Sequence, residues 1–525
     1  MKPFDASGAF QSHVSDGGIK RAAVRGAGVT VLSSGLGLAI QIVSTVVLSR
    51  LLAPKDFGLV AMVTTFSLLL VNFGINGFTE AVIQAEKVDR QLASNLFWIC
   101  VSAGTILTIV FAFSGSALAR FYDTPLVRSV TIGVALSIVA TSTSVLHLAL
   151  LKRAMRFTTV SIIGVVAQIG SIGSSVVLAW LHWGYKALVV GVVVQAVVQS
   201  LGAWVACQWI PGLPGGMSNT GGMIKFAIHV YGRFTINYFS RNTDNLLVGW
   251  RFGAGALGFY KKAYDLFALS ASQLTAPLAN VAVSALSRFK PQSSQYRNFL
   301  LNALGVIAFA GMGLSAAFTL VGRDIIRVLL GPGWDEAGQI FAYFGPGIGI
   351  MMVYYAHSWV HLSIGRPDRW FRWGLVEVSV TILLFLLMLH FGPVGIAVAW
   401  TLSFWILTFP SFWYAGKPVG LGVGPVIAVV WRFIAAALAA GFATVLSFGG
   451  FSAFGAPGSM FDAISRMVRV SLLFAALYLG AVILLHRGFG PVNQVVRLLQ
   501  EMMPGRKASK SSAVNLPPGS AEAAT

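Results

Sequence analysis

Apolar residues in this chain neither alternate strictly nor repeat at helical spacing against a polar face. They form long, nearly uninterrupted runs. A spanning helix needs about 20 mostly apolar residues. Runs of that kind lie at roughly 27–49, 58–78, 94–115, 129–150, 159–181, 187–209, 224–248, 259–285, 298–321, 337–361, 373–390, 394–414, 424–449 and 467–486. The pattern predicts an all-α polytopic membrane protein of about 14 transmembrane helices, since a helix satisfies its backbone groups within one segment. The seventh run is the least apolar, because charges interrupt it.

Composition supports the pattern. Of 525 residues, 56% are hydrophobic and 10% charged, with a mean hydropathy of +0.77. Soluble chains carry about 25% charged residues, so a soluble globular enzyme, a disordered chain and a disulfide-rich secreted domain are excluded. Cys100 and Cys207 both lie in apolar runs and provide neither a disulfide framework nor metal-ligand spacing. There are 37 Lys+Arg against 17 Asp+Glu, a formal +20. In a membrane protein this excess first marks cytoplasmic loops. Assigned to alternate loops, the basic residues favour the side bearing Lys20, Arg21, Arg25, Lys152, Arg153, Arg156 and Arg366 nearly two to one. Both termini are expected in the cytoplasm, and nucleic acid is not expected as a partner.

The first 26 residues are polar and read as a cytoplasmic segment without a signal peptide. The stretch PGLPGGMSNTGG at 211–222 is dense in Gly and Pro and reads as a cytoplasmic linker. It divides 27–210, with the first six helices, from 223–415, with the next six. Two extra helices are expected over 416–490, and a cytoplasmic, largely disordered tail over 491–525. The halves echo each other. STVVLSRLLAPKDFGLV (44–60) aligns without gaps on DNLLVGWRFGAGALGFY (244–260), matching Gly58 with Gly258. HWGYKALVVG (182–191) resembles HFGPVGIAVA (390–399). Paired repeats around a site are a transporter architecture.

These residues resemble the polysaccharide transport (Wzx-type lipopolysaccharide and exopolysaccharide exporter) branch of the MOP flippase superfamily. The strongest match is Leu48-Ser49-Arg50-Leu51-Leu52-Ala53-Pro54-Lys55-Asp56-Phe57-Gly58, the turn between helices one and two. Asp244-Asn245-Leu246-Leu247-Val248-Gly249 with Gly253 and Ala256–Tyr260 is similar to the pattern after helix seven. Arg120-Phe121-Tyr122, Leu330–Trp334 and Gly365–Asp368 are weaker echoes. The resemblance implies a V-shaped bundle of two six-helix lobes with two C-terminal helices. It further implies a flippase of the bacterial inner membrane that moves undecaprenyl-diphosphate-linked oligosaccharide outward by alternating access. Membrane lipids, a polysaccharide polymerase and glycosyltransferases would be its partners. No cofactor is implied beyond a coupling ion, H⁺ or Na⁺.

Local chemistry nominates the site. Pro54 suits a helix start, Asp56 the first turn, and Gly58 a close backbone approach. Arg50 closes helix one, either snorkelling to headgroups or lining the outer mouth. In the seventh run Lys225, His229, Arg233, Asn237, Arg241 and Asp244 fall at about 0, 40, 80, 120, 160 and 100° around the helix. An Arg at mid-bilayer costs on the order of 2.5–3.5 kcal/mol, so this face must meet water or protein. One reading is a cationic cavity wall for a diphosphate; the other pairs Arg241 with Asp244 and Arg233 with helix carbonyls. Asn72, Asn76 and Glu80 form a polar stripe that faces either the cavity or neighbouring helices. Asp244, Asp265 and Glu377 are candidates for ion coupling, with Lys261–Asp265 also readable as an i,i+4 pair. Tyr354, Tyr355, His357 and His361 are candidate sugar contacts or interface anchors. Arg432 in the thirteenth run has no evident reason to be there.

Two other functions compete. A MATE-like drug or cation antiporter on the same fold would need intramembrane carboxylates, which the first six runs almost lack. A membrane glycosyltransferase or polymerase would need a large aqueous loop, and no connection has room for one. No Walker loop or HExxH motif is present, and the chain reads as a transporter rather than an enzyme.

Overall fold

The computed structural model describes residues 3–11, 19–85, 88–215 and 220–494. Among them the chain is helical, with only isolated β-bridges pairing Phe4 with Phe10 and Ala9 with Asp89. The helices are α1 (Ile19–Leu51), α2 (Pro54–Gln84), α3 (Arg90–Phe121), α4 (Leu126–Ser142), α5 (Val145–Arg153), α6 (Phe157–Trp180) and α7 (Tyr185–Cys207). They continue with α8 (Thr220–Leu286), α9 (Ser294–Leu330), α10 (Asp335–Tyr355), α11 (His357–Ser363), α12 (Pro367–Met388), α13 (Gly392–Gly416), α14 (Val423–Ser447) and α15 (Met460–His486).

Two apolar runs that look continuous in sequence are broken by side chains that bond back to the backbone. The run at 129–150 splits into α4 and α5. There Thr143 Oγ1 donates to Ala140 O and Ser144 Oγ to Thr141 O, both at 2.7 Å. The run at 337–361 splits into α10 and α11, with Ser358 Oγ donating to Tyr355 O at 2.7 Å. Such back-bonding competes with the helical ladder and bends it. The opposite occurs in α8, where two expected runs join. A straight 67-residue helix would be about 100 Å long. Instead Gly253, at φ 79° and ψ −177°, reverses the chain, and Tyr260 Oη reaches Asp244 Oδ2 at 2.7 Å. Sixteen residues of unbroken helix would hold those groups about 24 Å apart.

Among the described residues, ten stretches are long and apolar enough to cross a membrane. Their outward positions carry large apolar side chains, including Phe113, Leu383, Leu438 and Leu472. An apolar surface of this extent is stable only against lipid. The protein is therefore a multi-pass membrane protein.

Inside, one large apolar cluster runs through α2, α4, α8, α9, α10, α13 and α14. A second lies at the far end of α2 and α3, where Phe97 packs on His147, Trp204 and Trp209. Charged groups fasten the ends of helices. Arg153 Nη1 donates to Val82 O and Ala85 O, each at 2.7 Å, capping the C-terminal carbonyls of α2. Arg466 in α15 grips the buried Asp324 of α9 with Nη2 at 2.7 Å and Nε at 3.0 Å. It also donates to Ala453 O and Gly455 O.

Candidate functional site: the α2–α8 junction and its ionic neighbour

The turn between α1 and α2 forms as its residues dictate. Pro54 opens α2, and Asp56 Oδ2 accepts the Ala53 N–H at 3.1 Å. This frees Gly58 for its packing role. A Cβ on Gly58 would lie 1.7 Å from Ala254 O, and one on Gly258 would lie 1.9 Å from Pro54 O. In the repeat alignment Gly58 corresponds to Gly258 and Pro54 to Ala254. The two halves thus meet backbone to backbone through equivalent residues, in a pseudo-twofold crossing. A second equivalence supports the duplication: Gly184 before α7 and Gly392 opening α13 both have positive φ, at 55° and 78°.

The crossing is sealed around its rim. Trp334, 2% exposed, donates from Nε1 to Ser49 O at 2.9 Å. Its ring meets Phe57 at 5.5 Å and Phe259 at 5.8 Å. Lys262 Nζ lies 4.2 Å from the Phe57 ring centroid. Farther along α2, Tyr238 Oη donates to Thr65 O at 2.8 Å and Tyr231 Oη to Leu69 O at 3.0 Å. The seam between α2 and α8 is therefore held by glycine contact at one end and tyrosine hydroxyls along its length.

Beside the seam, α8, α10, α12 and α13 bring together a cluster of charged groups around the buried Asp244. Asp244 is fully buried. Its carboxylate accepts from Tyr260 Oη at 2.7 Å, Trp400 Nε1 at 3.0 Å and Asn245 N at 2.8 Å. These donors hold a charge that burial alone would penalise heavily. Lys261 pairs with Asp265 and also feels Asp244. Arg241 stands within electrostatic reach of Tyr355, Tyr264, Glu377 and Tyr354. Glu377 engages the Tyr354 hydroxyl, which itself accepts from Trp373 Nε1 at 3.0 Å. The cluster therefore joins four helices through alternating charges and aromatic hydroxyls. Asp244→Ala leaves two buried donors without an acceptor, at about 1–3 kcal/mol each. Thermal unfolding of the purified chain should show that loss, and Asp244→Asn, which keeps an acceptor, should lose less.

Not every expected residue enters this site. The side chains of Lys225, His229, Arg233, Asn237 and Asn76 lie outside the described residues. The alternative pairing of Arg241 with Asp244 does not form: Asp244 is taken by Tyr260 and Trp400, while Arg241 stands within electrostatic reach of groups on α8, α10 and α12. Arg50 belongs to a different neighbourhood, its Nη2 donating to Val328 O at 3.1 Å near the end of α9. Asn72 donates to Leu68 O on its own helix at 2.7 Å, and Glu80 is exposed. Asp265 takes the i,i+4 partner that its spacing offers. Tyr354, His357 and His361 are at most 2% exposed, packed with Trp373 and Tyr414, so they are neither interface anchors nor open to a sugar. Sequence reasoning misses Tyr260, Tyr264, Trp400 and Trp334. Trp334 carries a signal in the Leu330–Trp334 echo; Tyr260 lies inside a matching motif that gives it no chemistry.

Fold and site together define a multi-pass helical membrane protein in which α2 and α8 pack along a seam beside a cluster of charged and aromatic groups. The sequence profile described as "Polysaccharide biosynthesis protein" matches residues 47–339. The chain belongs to that family. It is 24% identical over 313 residues to the teichuronic acid biosynthesis protein TuaB of Bacillus subtilis (strain 168), covering 59% of this chain and 64% of the relative. It is 22% identical over 312 residues to the lipopolysaccharide biosynthesis protein WzxC of Escherichia coli (strain K12), covering 58% and 62%. The chain thus spans somewhat under two thirds of the length of these relatives. Its fold is that of the lipid II flippase MurJ in an inward closed conformation, with a TM-score of 0.69 at 14% identity over 86% of this chain and 99% of that one.

Proposed function

We propose that this chain is a flippase carrying undecaprenyl-diphosphate-linked oligosaccharide repeat units outward across the bacterial inner membrane, for lipopolysaccharide or exopolysaccharide synthesis. In this reading it is a transporter and not an enzyme, and it crosses the membrane fourteen times. The crossings are α1, α2, α3, α4 with α5, α6, α7, the two arms of α8, α9, α10 with α11, and α12 to α15. Residues 27–210 form one lobe and 223–415 the other, joined by the linker at 211–222; 416–490 add two helices. Both termini are cytoplasmic. The observation that carries the reading is the crossing of Gly58 and Gly258. It is a backbone-to-backbone contact between equivalent residues at one end of the α2–α8 seam, and a seam that parts as a unit would support alternating access.

Arg241 would receive the diphosphate, since a guanidinium matches phosphate oxygens bidentately, and Arg233, about two turns earlier in the sequence of the same helix, is the second candidate. Glu377, within electrostatic reach of Arg241, would compete with the cargo for it. A proton taken up by Glu377 would release Arg241 to the cargo, which couples movement to the proton gradient; Na⁺ bound at the carboxylate would act likewise. Arg241→Ala should lower polymer export about ten- to hundredfold, the worth of one charge-assisted hydrogen bond, without loss of membrane insertion. Glu377→Gln should leave cargo binding intact and make export insensitive to the gradient. The function itself is tested in a deletion strain, where lipid-linked repeat units should accumulate on the cytoplasmic leaflet. Normal polymer output from that strain would refute it.

A further inference from the structure

Arg432 lies outside the site described above. It is exposed, nine residues inside α14, where an unpaired charge is costly. Its guanidinium approaches the neighbouring Trp431 ring at 5.9 Å. It lines a cavity of about 220 Å³ between α9, α14 and the end of α15. Asn302, Val306, Phe309, His486 and Gln494 line the same space, and among the described residues no carboxylate does.

The geometry points to a binding site for an anionic phospholipid with a hydroxylated headgroup, of the phosphatidylglycerol type. Helical side chains lean toward the helix N-terminus. Arg432 therefore leans toward the start of α14, at the membrane edge where α9 also begins and α15 ends. Nine residues of helix correspond to about 13 Å, a depth from which an Arg stem reaches the headgroup level. A phosphodiester there meets the guanidinium. His486 donates from Nδ1 to Val482 O at 3.0 Å, which leaves Nε2 as an acceptor for a headgroup hydroxyl. Val306 and Phe309 continue the wall in apolar form, a path for an acyl chain. Gln494, from the segment after α15, lies on the aqueous side. A lipid enters such a site sideways, whereas a soluble anion would need only the polar end. Basic pockets between spanning helices hold anionic headgroups by this combination of charge and apolar surface.

Native mass spectrometry of the purified full chain tests this with equal amounts of phosphatidylglycerol and phosphatidylcholine. The wild type should retain the anionic lipid about fivefold over the zwitterionic one, the effect expected of one Arg near the headgroups. Arg432→Ala should abolish the preference, Arg432→Lys should keep most of it, and Arg469→Ala, on the opposite end of α15, should leave it unchanged. Retention of the preference by Arg432→Ala overturns the site. Displacement of the lipid by millimolar inorganic phosphate overturns the lipid assignment in favour of a soluble anion. The readout needs no transport, so its failure is distinct from failure of the flippase reading.

Discussion

Gly58→Val should abolish polymer export while the protein still inserts in the membrane. Even the first added carbon would lie 1.7 Å from Ala254 O and 2.9 Å from Gly258 N. Both are backbone atoms, which cannot rotate away as a side-chain tip can. α2 and α8 must separate, which also breaks the Trp334 bond to Ser49 and pulls Tyr238 from Thr65. The seam then cannot close, and under the proposed alternating access a carrier held open on one side would complete no cycle. Gly258→Val should act equally, because its Cβ meets Pro54 O at 1.9 Å. Complementation of a deletion strain, scored by polymer output and by the amount of protein in the membrane, measures both. Wild-type export by either variant would mean that the close approach has no part in function.

Asp324→Ala should be the most destabilising single change away from the seam. Asp324 is 0% exposed and accepts three hydrogen bonds from Arg466. Removing it strands a guanidinium that also holds the loop before α15 through Ala453 O and Gly455 O. Breaking one side of a buried pair costs about 3–5 kcal/mol. A double change to Asp324→Leu with Arg466→Met should recover much of that loss, since apolar packing often replaces a buried ion pair without penalty. Intrinsic fluorescence during thermal unfolding in detergent orders the three proteins. An unshifted single variant would show that the pair fastens nothing.

What is legible in the sequence of this molecule follows from the range of the interactions involved. The Pro54–Gly58 turn is readable because its causes lie within five residues. The duplication is readable too, since Gly58 aligns with Gly258 from residue order alone. That the two glycines touch is not readable, because alignment states equivalence and not contact. The breaks at Thr143 and Ala356 escape because hydropathy averages over the Ser and Thr hydroxyls that cause them. Asp324 and Arg466 are 142 positions apart, so Arg466 passes for one more loop charge, as does Arg153. The charges of the seventh run are visible along the chain. Helical angle alone, however, cannot tell that Asp244 belongs to Tyr260 and Trp400 while Arg241 stands within electrostatic reach of Tyr355, Tyr264 and Glu377. That division depends on where α10, α12 and α13 lie.

The most direct measurement reconstitutes the purified chain in vesicles carrying a lipid-linked oligosaccharide in one leaflet, and follows its appearance on the opposite face. The account predicts movement by the wild type, none by Gly58→Val, and movement by Glu377→Gln that no longer responds to a proton gradient. Equal movement by wild type and Gly58→Val, or none by the wild type, would contradict it.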